Sequence, residues 1–216
     1  MARRGSRRGD GRELRRRGPT RDPLPLILVV CEGKVTEREY VDAFRIAQGA
    51  NTVRVRVVAP GGDPMALVER AVELRDEAER EARRARDSYL RYDEVWCVFD
   101  VDEHRRLDEA RGAAARSKIH LAVSNPCFEL WLLLHFADQT AHLSAKQARD
   151  RLRKHMPGYD KHIRFGDASA GYADAVRRAK SLDDRHDTSG SPGANPSTGV
   201  HGLTERIREF GKDRRL

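Results

Sequence analysis

The chain has 216 residues with 42 Lys and Arg against 34 Asp and Glu, a length that suits one α/β domain with extensions and a sizeable core. Its formal net charge of +8 is uneven: residues 1–21 hold nine Arg against Asp10 and Glu13, a net of +7, which leaves the remainder near +1. No stretch reaches the roughly 20 apolar residues of a membrane span, no apolar segment follows the N-terminal charges as in a secretory signal, and Cys31, Cys97 and Cys127 lack CxxC spacing, which speaks against structural zinc and for small buried hydrophobes in a cytoplasmic protein.

In chain order, the Arg- and Gly-rich segment 1–22 predicts a disordered tail, either a contact for polyanions or simply a solubilising extension. Residues 26–31 form an unbroken apolar run, the mark of a strand covered on both faces, and it ends in Glu32 and Gly33. A helix is predicted near 35–48 with Tyr40, Val41, Phe44 and Ala47 on its apolar face. The alternating run 52–58 predicts an edge strand. Asp63 and Pro64 supply an N-cap and an N1 proline for a helix over 64–88, whose charged second half reads as a solvated face with i,i+4 pairing.

A strand over 95–99 ends in Asp100-Val-Asp102, a helix follows near 104–116, and a strand over 119–123 leads into Ser124-Asn-Pro-Cys-Phe-Glu129. Helices are expected at 144–155, 169–182 and 200–211, with a loop over 183–199. Four β-then-α units in succession imply a small parallel α/β sheet with helices on both faces. The expected organisation is a tail over 1–22, a catalytic core over 23–137 and a helical C-terminal extension over 138–216.

Two apolar runs that each end in acid place Glu32 and Asp100 at the carboxyl edge of the sheet, where ligands of such sheets bind. Asp100 and Asp102 point the same way in an extended segment, roughly 6 to 7 Å apart. Three converging carboxylates repel one another, and a divalent cation relieves the repulsion. Haloacid-dehalogenase-type phosphatases carry their DxD after the first strand, whereas here it follows the third. Receiver domains need an acidic pair after the first strand, and Glu32-Gly33 gives one acid.

The Toprim pattern does match: a Glu in a Gly-containing turn after the first strand and a DxD after the third. Four blocks go further. Val30-Cys-Glu32-Gly-Lys-Val-Thr-Glu37, Val95-Trp-Cys-Val-Phe-Asp100-Val-Asp102-Glu-His104, Ser124-Asn-Pro-Cys-Phe-Glu129-Leu-Trp-Leu-Leu-Leu-His135-Phe and Asn195-Pro-Ser-Thr-Gly-Val-His201 together resemble the RloB-like family over about residues 24–210. That family is similar to the Toprim nucleases of the overcoming-lysogenization-defect type and is associated with restriction-modification and antiphage loci. The resemblance implies a Toprim-like fold and a Mg²⁺-dependent nuclease, with Mn²⁺ as a substitute, acting on DNA or RNA, in which Glu32, Asp100 and Asp102 form the metal core. It also makes an ATPase partner plausible. A non-catalytic nucleic-acid-binding or regulatory subunit of an ATPase-containing complex is the other class of reading.

By the same resemblance Glu37 would bind a second ion, although an acid in a first helical turn also favours the macrodipole, with Thr36 beside it as a cap. Glu129 stands in an otherwise apolar helical segment, where a carboxylate needs a cation or donors. With Asn125 as N-cap and Pro126 at N1, it falls near N4, where metal or active-site duty is preferred to helix capping. Ser124 and Asn125 could contact substrate or metal-bound water, and capping explains Asn125 equally well. Lys161, as in related Toprim nucleases, would stabilise phosphate charge, or is a surface lysine. Asn195 and Thr198 sit in a motif-like loop that either returns to the active edge, with Asn195 on substrate, or anchors structure. His104 and His135 are general bases or hydrogen-bonded spacers.

Overall fold

The central strand sets the architecture. β1 (Ile27–Cys31) is buried along its whole length, so both of its faces need cover and both of its edges need partners. It pairs in parallel with β2 (Val53–Val57) on one side and β3 (Glu94–Asp100) on the other. β4 (His120–Asn125) adds in parallel beyond β3, and the two-residue β5 (Ser197–Thr198) closes that end antiparallel, in the order β2-β1-β3-β4-β5. This computed structural model describes residues 25–33, 35–57, 63–101, 106–163, 166 and 170–212. The expected Arg-rich tail therefore lies outside the described residues.

Side chains alternate across the sheet, and two cores result. Leu28, Val30, Val95, Cys97 and Phe99 meet α2 (Pro64–Ala85) and α3 (Leu107–Ser117). On the opposite face Ile27, Val29, Cys31 and Val98 meet α1 (Thr36–Ala47), α4 (Glu129–Leu134), α5 (Ala145–His155), α6 (Tyr172–Thr188) and α7 (Val200–Lys212). The fold is thus α/β with a mostly parallel sheet and helices on both faces, as the β-then-α succession implies. α4 is apolar nearly all round and buried all round, every residue from Glu129 to Leu134 being covered, which is how such a helix must sit.

Local signals explain most boundaries. Asp63 accepts from Met65 N–H at 3.4 Å ahead of Pro64, and Ser144 with Gln147 forms a reciprocal capping box at the start of α5. Along the solvated half of α2, Arg83 pairs with Glu79 four residues before it.

Four expectations need correction. Ala47 is exposed rather than part of the apolar face of α1, which ends as the chain turns away at Gln48 and Gly49. The segment 183–199 is not simply a loop, because α6 runs on to Thr188 and β5 lies within it. Asn125 does not cap α4: it ends β4 opposite Ser197, and its Nδ2 donates to the Gly193 carbonyl at 3.0 Å. With Asn125 held in the sheet, α4 starts at Glu129, which is its first residue rather than its fourth.

Where α6 begins, Gly171 passes so close to the His135 carbonyl that a Cβ there would collide with backbone. Backbone cannot yield as a side chain can, so Gly171→Ala is expected to destabilise the fold by about 1–3 kcal/mol. A melting curve reads this as a fall of about 2–4 °C per kcal/mol, and an unchanged midpoint would refute the close approach.

Candidate active site at the carboxyl edge of the sheet

The ladder between β1 and β3 continues one step past β1, with Glu32 N–H donating to Val98 C=O at 3.1 Å. That bond fixes Glu32 at the carboxyl edge. Asp100 ends β3 opposite Ser124, and Val101 N–H donates to Ser124 C=O at 2.7 Å. Asp102 and His104 lie outside the described residues.

α1 starts directly above this edge. Its second residue, Glu37, folds back over the Glu32-Gly33 turn so closely that a Cβ on Gly33 would meet its carboxylate. Glycine at that turn is what leaves the carboxylate its place. Glu37 is 9% exposed, and burial raises its pKa, with the charges of Glu129 and Glu32 pushing the same way and Lys161 pulling against them. Glu129 is 6% exposed, and its Oε1 accepts from the Tyr159 hydroxyl at 3.2 Å.

Tyr159 belongs to a loop that the first helix holds down. Its hydroxyl is 3.2 Å from Thr36 Oγ1, and the Thr36 hydroxyl donates to the Lys161 carbonyl at 2.8 Å. Glu39, one turn further along α1, accepts from Ile163 N–H at 3.0 Å and meets His162 Nδ1 at 2.8 Å. Arg153 of α5 donates to the Tyr159 carbonyl at 3.3 Å. Lys161 itself stands at φ +84, with its backbone carbonyl tied and its side chain exposed. Thr36 is therefore not the cap of α1: Val35 holds the cap position, and the Thr36 hydroxyl serves the loop instead.

Of the residues singled out from sequence, the structure brings Glu32, Glu37, Asp100, Glu129 and Lys161 to one edge. Glu129 and Asp100 both act on the Cys127 thiol, which burial first and then these two charges push well up. Burial and then Glu37 do the same to Cys31. Both thiols keep their protons, so the donors offered at this edge are oxygens.

Other candidates have structural partners. Ser124 Oγ is buried against Thr198 Oγ1 at 2.9 Å. Asn195 does not return to the acid edge: its Oδ1 accepts from Leu143 N–H at 3.0 Å and its Nδ2 donates to Leu143 C=O at 2.8 Å. His135 sits in the core with Nδ1 donating to the Trp131 carbonyl at 2.9 Å and Nε2 accepting from Tyr40 at 3.1 Å, and burial pulls its pKa down to about 4. It is a hydrogen-bonded spacer. Tyr159, whose hydroxyl meets Glu129 and Thr36, was passed over by sequence reasoning, although it stands two positions before Lys161 in the same Pro-Gly-Tyr-Asp-Lys segment.

A family model of RloB-like proteins matches residues 27–207. The chain belongs to the RloB-like family. No curated protein and no solved structure matches it. The matched span takes in every acid of the edge as well as the loop bearing Tyr159 and Lys161, so the RloB-like unit includes the C-terminal helices and not the sheet alone.

A hard divalent cation fits this donor set in kind: carboxylate oxygens crowded by like charge, with protonated thiols nearby rather than thiolates. Among the described residues no three ligand side chains form a closed group; Asp102, the third expected acid, lies outside them.

The raised pKa of Glu37 has a stability consequence with a definite sign. A buried acid whose folded pKa exceeds its unfolded value binds more protons when folded, so without metal its contribution falls as pH rises from about the unfolded value through the folded one. Glu37→Gln removes that penalty. In EDTA its melting temperature should exceed that of the parent protein at pH 7, and the difference should close near pH 4. A Glu37→Gln protein less stable at both pH values would show that the carboxylate is held by donors rather than burdened by burial.

Proposed function

We propose that this RloB-like protein is a Toprim-type, Mg²⁺-dependent nuclease. The observation that carries the reading is the burial of Glu37 and Glu129 beside Glu32 and Asp100 at the carboxyl edge of a parallel sheet, since buried carboxylates that repel one another are stable only with a cation or strong donors. Glu32, Asp100 and Asp102, with Glu37 and Glu129, are the residues that would hold Mg²⁺ or Mn²⁺. When bound, such ions activate the attacking water and neutralise charge on the phosphodiester.

The chain's own groups have separable tasks in this reading. Tyr159 fixes the rotamer of Glu129 through its hydroxyl. Thr36 fixes the Lys161 carbonyl, which holds the lysine beside Glu37, where its ammonium can meet a phosphate oxygen. The roles in antiphage defence and alongside an ATPase partner are carried over from the family resemblance.

Asp100→Asn and Glu32→Gln change charge with little change in volume, so each should lose cleavage of DNA or RNA by at least about 100-fold while remaining folded, and EDTA should abolish activity in the parent protein. Full Mg²⁺-dependent cleavage by either variant sinks the metal-core assignment. A protein that binds nucleic acid yet cleaves none of the DNA, messenger RNA or transfer RNA offered, in Mg²⁺ or Mn²⁺, speaks for the regulatory-subunit reading.

A further expectation separates ligand from scaffold at Glu129. Metal that binds only the folded state raises the melting temperature by mass action, and Glu129→Gln should reduce that Mg²⁺-dependent rise. Tyr159→Phe should keep the rise and lower the cleavage rate up to about 10-fold, the scale of one hydrogen bond of about 0.5–1.5 kcal/mol. Equal Mg²⁺ responses in the parent and Glu129→Gln proteins would remove Glu129 from the site.

A further inference from the structure

Among the described residues β2 is the outermost long strand of the sheet, and a groove of about 440 Å³ runs along it. Four guanidinium groups line the groove, Arg38 and Arg45 from α1 and Arg54 and Arg56 from β2, against two carboxylates, Asp42 and Glu81. Asp42 is shared, lying 2.7 Å from Arg45 and 3.6 Å from Arg38. Arg54 and Arg56 stand opposite Leu28 and Val30 in the β1 register, so both leave the same face of the strand. Both are exposed, and neither has a hydrogen-bond or ion-pair partner among the described residues. Clustered guanidiniums with too few carboxylates repel one another, and a polyanion relieves this.

The two ends of the groove differ. Arg38 follows Glu37 directly, and its charge acts on Cys31, the residue before Glu32, so that end opens beside the acid edge. At the other end the lining is Leu90 and Tyr92, and the neighbouring Tyr89 is 58% exposed. Arginines that follow a backbone, with aromatic rings where bases can stack, suit a single strand better than a duplex whose bases are paired.

We infer that the β2 edge groove is a track for single-stranded nucleic acid, with phosphates on Arg54, Arg56, Arg38 and Arg45 and the strand leading toward the acid edge. This rests on the nuclease reading for its substrate but is tested by binding. A fluorescein-labelled single-stranded oligonucleotide is titrated with full-length Asp100→Asn protein, alone and combined with Arg54→Gln/Arg56→Gln, over a range of salt concentrations. The added pair should weaken binding at low salt and flatten the log–log salt slope by about 1.4, at about 0.7 for each phosphate that is no longer neutralised. Arg54→Lys/Arg56→Lys should keep the slope and confirm that charge, not folding, is measured.

Unchanged affinity and slope in the Gln pair overturn the track, and so does a stable dimer in which a fluorophore at Arg54→Cys is shielded, because a second copy would then occupy the edge. If the parent protein cleaves and the Gln pair cleaves with the same KM, the track fails while the nuclease reading stands. If binding depends on these arginines but no cleavage is found, the nuclease reading fails while the track stands. Absence of any nucleic-acid binding overturns both.

Discussion

Two carboxylates held out of water beside each other, Glu37 and Glu129, are the constraint around which the acid edge is arranged. A buried carboxylate needs donors or positive charge, and what surrounds this pair is uneven. Glu32 adds like charge at Glu37 from the end of β1, while Tyr159 and Lys161 answer from a loop far along the chain. The helix that carries Glu37 starts after Val35 with no side-chain cap, and its first residue, Thr36, holds that loop.

Much of this was legible in the sequence because it is local. The unbroken apolar run of β1 required a strand covered on both faces, and its abrupt end at Glu32 located the edge. The alternation of Arg and Val in β2 marked it as outermost, as the strand order has it. Asp63-Pro64 announced its helix through a side chain that bonds two residues on.

What escaped is what depends on distant partners. β5 has two residues and exists only because Ser124 and Asn125 are there to pair with it. Asn125-Pro126 has the composition of a helix start, yet tertiary pairing took Asn125 into β4 and moved the start of α4 by three residues. Asn195 could be read as a substrate contact or as an anchor, and what decides for the anchor is distant: both ends of its amide meet the backbone of Leu143, 52 residues earlier. No local pattern specifies such a bond. Tyr159 escaped for the same reason, its partners Thr36 and Glu129 being 123 and 30 positions away.

These separations bear on how the site comes into being. The acids stand at the end of β1 and on α1, β3 and α4, but the groups that answer them lie later, on a loop between α5 and α6, and those helices share one core with β1 and α1. Contacts that span more than half the sequence form only once the intervening chain is in place. The C-terminal helices are therefore part of the site's construction, in that without them Glu37 and Glu129 would keep their mutual repulsion and lose Tyr159 and Lys161. A ligand that relieves the repulsion binds an arrangement absent from the unfolded chain, so its binding energy adds to the stability of the whole fold rather than to one loop. The crowding that makes the acid edge costly, and any ligand that offsets it, thus act through one folding equilibrium.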